Sequence, residues 1–225
     1  MKLATAVWGN GPRTAVLVHG IMTDSGTWNR VAPAVADRGY RLIAVDLRGH
    51  GASGHSETYT PEVLAADLLE TLPPDPDLAI GHSLGSAALL LAMPRLRCAR
   101  AVHCDPAWVR RPRDLAALRA VKHATWHELR TAHPRWHDDD ITAELRALAT
   151  WDPESVAALA HLPGLPTTPA APSLVLLADP SERIPPVAAA TLRRSGWYTR
   201  TVDGAGHTVH RDDPAGFLQG LSGWL

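Results

Sequence analysis

The clearest chemistry in this chain lies in the stretch Leu78-Ala79-Ile80-Gly81-His82-Ser83-Leu84-Gly85-Ser86. An apolar run entering Gly-x-Ser-x-Gly is how a serine hydroxyl is raised on a tight strand-to-helix turn. Gly81 and Gly85 lack a Cβ, so strand and helix can close on each other while Ser83 is held in a sparsely populated conformation. An ordinary glycine-rich turn carries the same letters, and the surroundings decide between the two readings. A serine hydroxyl is a weak nucleophile at its ordinary pKa and needs a base, and the base needs an orienting group. Gly204-Ala205-Gly206-His207 puts a histidine in a small-residue loop after a strand candidate, and Asp105 and Asp179 each end an apolar run between serine and histidine. Serine, acid, histidine is an order in which such relays occur. Upstream, Ala15-Val16-Leu17-Val18 runs into His19-Gly20, a buried strand followed by a loop whose backbone N–H can face the same centre. An oxyanion hole needs two such donors.

These residues require a frame that brings distant strand ends together. Strands are expected at residues 3–8, 15–18, 41–45, 78–80, 101–104, 173–177 and 198–202, with helices at 28–37, 61–71, 83–93, 186–194 and 214–224. Such alternation predicts a mostly parallel sheet with helices on both faces. Thr60 and Pro61 suit a helix start, and Pro73-Pro74 ends the same helix. Residues 107–171 break the alternation with helical patterns at 114–123, 126–132, 139–149 and 153–161, followed by a proline-rich loop at 162–169.

His19-Gly20, the Trp28 of G-T-W, Val45-Asp46-Leu47-Arg48-Gly49-His50-Gly51-Ala52-Ser53, the G-H-S-L-G turn and G-A-G-H with Pro214 beyond it occur in order along nearly the whole chain. In these motifs the sequence resembles the α/β-hydrolase superfamily, in its serine-nucleophile, esterase-like branch. The resemblance implies an α/β-hydrolase fold built by residues 1–106 and 172–225. It also implies a small helical cap, residues 107–171, inserted after the sixth strand of a single domain. Such a cap covers the nucleophile, excludes water and carries selectivity. Trp108, Trp126, Trp136 and Trp151 fall inside or beside it. They line an apolar, aromatic pocket on one reading and form the cap's own core on the other.

Many relatives take the acid from the loop after the next strand, a few residues ahead of a proline. Counting back from Pro185 in Ala178-Asp179-Pro180-Ser181-Glu182-Arg183-Ile184-Pro185 puts Ser181 at that position. The loop is closer to the variant of some haloalkane dehalogenases, whose carboxylate comes from the end of the sixth strand, matched here by Asp105. Asp105 is therefore favoured, with Asp179 as rival; a loop or helix cap is the plainer role for either. The resemblance assigns Ser83 as nucleophile, His207 as general base and the backbone N–H groups of Ile21 and Leu84 as oxyanion donors. A serine nucleophile implies acyl chemistry: cofactor-independent hydrolysis of a carboxylic ester, lactone or thioester of a small, apolar substrate through an acyl-enzyme. The alternatives are carbon–carbon cleavage or a non-hydrolytic step with the same residues, and a non-catalytic ligand-binding protein.

His82, His50, His55 and His210 read as structural or solvent-facing. The run from His133 to Asp140 could be mistaken for a metal cluster, but helix capping by Asp138 or Asp139 explains it, so no metal or cofactor is expected. A net charge of −1 with 45% hydrophobic residues gives no electrostatic reason to expect nucleic acid or an anionic membrane as partner. Lys2 and Lys122 are the only lysines, which with abundant alanine and proline reads as the coding bias of a GC-rich genome. The first apolar stretch is broken by Thr5 and ended by Gly9 to Pro12, too short for a signal-peptide core, and no run reaches membrane-spanning length. Cys98 and Cys104 read as two reduced thiols, so a cytoplasmic protein acting on a small-molecule substrate is expected. Oligomeric state leaves no signature in the chain.

Overall fold

The computed structural model describes residues 1–109 and 114–225. Seven strands, β1 (Thr5–Trp8), β2 (Arg13–Val18), β3 (Tyr40–Val45), β4 (Leu78–His82), β5 (Ala101–Cys104), β6 (Ser173–Leu177) and β7 (Tyr198–Thr201), form one sheet in the order β1-β3-β2-β4-β5-β6-β7. Only β1 is antiparallel; it pairs with β3, and the other five pairings are parallel. In the central ladders Val18 faces Gly81 and His82 faces Cys104. Loops that leave β2, β4 and β5 at their carboxyl ends therefore emerge side by side, where open α/β sheets bind ligands.

Alternate side chains of each strand feed two cores. Val16, Val18, Ala79 and Val175 join Leu64 and Leu68 of α2 (Pro61–Thr71), Leu84 and Leu89 of α3 (Ser83–Leu96) and Leu192 of α7 (Pro186–Arg194). Ala15, Leu17, Leu78, Ile80 and Val102 join Val35 of α1 (Ala32–Ala36) and Phe217 of α9 (Pro214–Gly220) on the opposite face. The helices thus cover both faces, as a buried parallel sheet requires. The helix expected at residues 28–37 is instead a 3-10 turn, Ser25–Trp28, followed by the short α1. Pro33 sits in the first turn of α1; its ring would meet the carbonyl of Asn29 in a continuous helix. α3 runs three residues beyond the expected 93, through Pro94, and ends where Arg97 turns left-handed at φ 55°. A one-turn helix, α8 (Val209–Asp212), has no counterpart among the expected elements.

Between β5 and β6 lie α4 (Leu115–Ala120), α5 (Trp126–Ala132), α6 (Asp138–Thr150) and a 3-10 segment, Pro153–His161. These helices therefore follow the fifth strand of the sheet rather than the sixth, because a single antiparallel strand, β1, precedes the parallel ones. Residues 110–113 of the expected cap fall outside the described residues. Leu129, Trp136, Ile141, Leu148, Trp151 and Val156 form a cluster of their own. Polar ties join it to the body: Tyr59 Oη donates to Asp152 at 2.6 Å, Arg30 pairs with Asp140 at 3.3 Å, and Trp136 Nε1 donates to Thr208 at 3.0 Å. Among the described residues no helix is long and apolar enough to cross a membrane.

Candidate active site

Strand β4 passes into α3 with no residue between, so Ser83 is both the first helical residue and the corner, at φ 49°. A Cβ on Gly85 would stand 2.1 Å from the His19 carbonyl oxygen, and one on Gly81 2.8 Å from Ser86 Cα. Only glycine lets α3 start this close to β2 and fold back on β4. Leu84 lies in the first turn of α3, where backbone N–H groups have no intrahelical acceptor.

His207 stands in the loop between β7 and α8, and its Nε2 is 3.0 Å from Ser83 Oγ. Its Nδ1 is 2.6 Å from Asp105 Oδ2. Asp105 follows β5 directly, and its side chain is buried; Oδ1 accepts from Ser181 Oγ at 2.5 Å and from the Ala178 N–H at 3.4 Å. Donors on both oxygens satisfy this buried carboxylate and fix its direction. Ser181, at the position where many relatives carry the acid, thus hydrogen-bonds the carboxylate that reaches His207. Asp179 is exposed and accepts from the Gly204 N–H at 3.0 Å, while its own N–H donates to the Ala205 carbonyl at 2.8 Å. It pins the turn that precedes His207.

Three other histidines hold the surrounding backbone. His82 Nε2 donates to the His207 carbonyl at 3.0 Å, and burial, with His207 and His210 nearby, keeps its pKa well below 6.5. His19 donates from Nδ1 to the Gly20 carbonyl at 2.6 Å and accepts at Nε2 from the Leu47 N–H at 2.9 Å. His50 donates from Nδ1 to the Arg48 carbonyl at 2.9 Å and accepts at Nε2 from the Met22 N–H at 3.3 Å. Each pattern requires a neutral ring, and burial lowers both pKa values, that of His50 to about 3. Together they brace the loop that carries Ile21. His210 stacks on Trp28 at 4.4 Å and bonds Thr27, and His55 is exposed.

Ser83 and His207 open into a cavity of about 180 Å³. Ile21, Met22, Leu118, Leu159 and Trp136 give it apolar walls, while Thr23, Glu144, Arg183 and Arg211 give it a polar portion absent from the sequence-based expectation of an apolar pocket. Of the four tryptophans singled out, Trp136 lines this cavity, stacked on His133 at 3.8 Å. Trp108, Trp126 and Trp151 stand elsewhere. Trp108 is buried against His103 and Trp197, Trp151 is buried and donates to Ser155 at 2.7 Å, and Trp126 is exposed beside Arg130. The need of a small helical unit for bulky core residues accounts for Trp151, and the main core claims Trp108.

Glu144 and Arg211 are functional candidates that the sequence reading misses. One signal is present: Ile141, Glu144 and Leu148 share the buried face of α6, an acid inside an apolar stripe. Burial raises the Glu144 pKa against the opposing pull of Arg211. Among the described residues no group of His, Cys, Asp and Glu is arranged to hold a metal ion. In the run from His133 to Asp140, His137 is itself the helix cap, accepting from the Asp139 N–H, while Asp140 accepts from the His137 N–H at 3.1 Å. Cys98 and Cys104 are free and buried, and burial lifts the Cys98 thiol to about 11.

This arrangement has parallels among known proteins. The chain is 26% identical to the mouse sn-1-specific diacylglycerol lipase ABHD11 across 93% of its own length and 80% of that protein. It is 37% identical to a pimeloyl-[acyl-carrier protein] methyl ester esterase of Methylococcus capsulatus, over 41% of its own length and only 35% of that protein. An N-formylmaleamic acid deformylase from Pseudomonas putida S16 superimposes with a TM-score of 0.82 at 22% identity, covering 97% of this chain and 96% of that one. The model of the alpha/beta hydrolase family matches residues 15–219. The chain belongs to the alpha/beta hydrolase family, as a serine hydrolase-like enzyme.

Proposed function

We propose that this protein hydrolyses a carboxylic ester, lactone or thioester of a small molecule through an acyl-serine intermediate. The observation that carries the reading is the unbroken hydrogen-bonded line from Ser83 Oγ to His207 Nε2, 3.0 Å, and from His207 Nδ1 to Asp105 Oδ2, 2.6 Å. His207 takes the serine proton as Oγ attacks the carbonyl, then returns it to the leaving group. Asp105 holds the ring in the required tautomer and stabilises the imidazolium. The N–H groups of Ile21 and Leu84 receive the oxyanion; one such donor is worth about 3 kcal/mol to the barrier. Water then attacks the acyl-serine by the same proton relay and releases the acid. No metal or cofactor enters these steps. The helices between β5 and β6 act as a lid, over residues 107–171, that keeps bulk water from the acyl-enzyme. The names of the mouse and Methylococcus relatives, both for cleavage of esters, support the choice of bond.

The test is turnover of a short-chain aryl ester by Ser83→Ala, together with covalent labelling by a fluorophosphonate. The variant is expected to fold and to lose about 10⁴-fold or more in kcat, with labelling abolished. Unchanged turnover or labelling rejects the proposal.

A further inference from the structure

A buried arginine in the cavity of Ser83 has no task in cleaving an uncharged ester. Arg211 lies on α8, four residues beyond His207, with its side chain 1% exposed. Its Nη1 donates to Glu144 Oε2 at 2.5 Å and its Nη2 to Thr23 Oγ1 at 3.3 Å, whereas its Nε is buried without a hydrogen-bond partner. Trp136 covers the guanidinium, with Cζ 4.5 Å from the ring centroid. With a face so occupied, the group recognises through its in-plane N–H edges, the geometry that fits a carboxylate. Arg183 lines the same cavity and also the adjoining one that reaches Asp105 and His207 from the other side. Among the described lining residues of the Ser83 cavity, Glu144 and Thr23 occupy the two Nη groups of Arg211, and its unpartnered Nε is the donor left for an anion. Ile21, Met22, Leu118 and Leu159 leave room for a short apolar spacer between that anion and Ser83.

The geometry points to a substrate that bears a free carboxylate in addition to the bond cleaved, held by Arg211 with Arg183 beside it. This deepens the hydrolase reading and relies on it for where the scissile carbonyl sits, at Ser83. The rival explanation of Arg211 is a purely structural tie between α6 and α8.

Binding to Ser83→Ala, read by calorimetry, separates the two. The probes are matched pairs: monomethyl succinate against methyl butyrate, and 3-acetoxypropanoate against butyl acetate. In at least one pair the anionic ester is expected to bind about five-fold or more tightly than its neutral counterpart. That advantage is expected to vanish when Arg211→Gln and Glu144→Gln are introduced together, which removes the ion pair as a unit and leaves no lone buried charge. Arg183→Gln, at a partly exposed side chain, is expected to reduce it as well. Equal or weaker binding of both anionic esters, or an advantage that survives the paired substitution, overturns the inference. Absence of turnover of all four esters by the wild-type protein would count against the hydrolase reading, while the binding comparison still decides this one.

Discussion

The carboxyl-end rim of the sheet and the helices between β5 and β6 meet at one cavity but are specified in opposite ways. On the rim, Ser83 and Asp105 each follow a strand directly, at φ 49° and 35°, so the backbone ladder itself sets their positions. Opposite them, Trp136, Leu118 and Glu144 reach the cavity from three separate helices or the loops between them, and their directions depend on how those helices pack. Under the proposed hydrolase reading, reactivity is fixed by backbone geometry, and recognition by side-chain packing across segments distant in sequence. The first tolerates no added atom, whereas the second can change its lining without moving Ser83.

A single methyl group on each side sharpens that contrast most. Gly85→Ala would set a Cβ 2.1 Å from a backbone oxygen of the loop leaving β2, and is expected to cost about 3 kcal/mol or more, with a matching loss of Tm. Gly164→Ala, between the 3-10 segment and β6, has nothing within 4 Å of the new Cβ. Its φ of +90° makes the change cost only about 1 to 2 kcal/mol. Equal shifts in Tm would break the comparison.

Acid titration gives the next effect. His50 and His103 are fully buried, with pKa values lowered by burial from 6.5 to about 3. The unfolded chain therefore binds more protons below pH 6.5, so the stability these rings contribute is complete above that pH and is lost as the pH falls toward 3. Each is expected to cost about 2 kcal/mol at pH 5 relative to neutral pH. Denaturant unfolding at the two pH values checks this; a flat profile between them contradicts the neutral, buried rings. The smallest expected effect is at Ser181, whose hydroxyl donates to Asp105. Ser181→Ala is expected to cost about 1 to 2 kcal/mol of the activation barrier, read as a roughly ten-fold fall in kcat with little change in KM. No change in kcat would remove Ser181 from the relay.

How far the sequence can be read follows the same division. The seven strands, the turn at Ser83 and the loop of His207 are legible because strand periodicity, glycine pairs and motif order are local properties. Asp105 is favoured over Asp179 only through the position of Ser181, and the side-chain contacts of both acids explain why spacing alone does not separate them. The expected helix at residues 28–37 fails at Pro33, where ring sterics outweigh the apolar pattern. Glu144, Arg211 and the orientations of the tryptophans are out of reach, because contacts spanning 67 residues, as between Glu144 and Arg211, leave no local pattern.

The most direct measurement is kcat of Asp105→Asn beside Asp179→Asn on the same ester. Asp105→Asn is expected to fall by about 10⁴-fold, because the amide presents the wrong partner to His207 Nδ1. Asp179→Asn, which keeps an oxygen for the Gly204 N–H, is expected to stay within a few-fold of wild type. The reverse order, with Asp179→Asn inactive and Asp105→Asn active, would contradict the account.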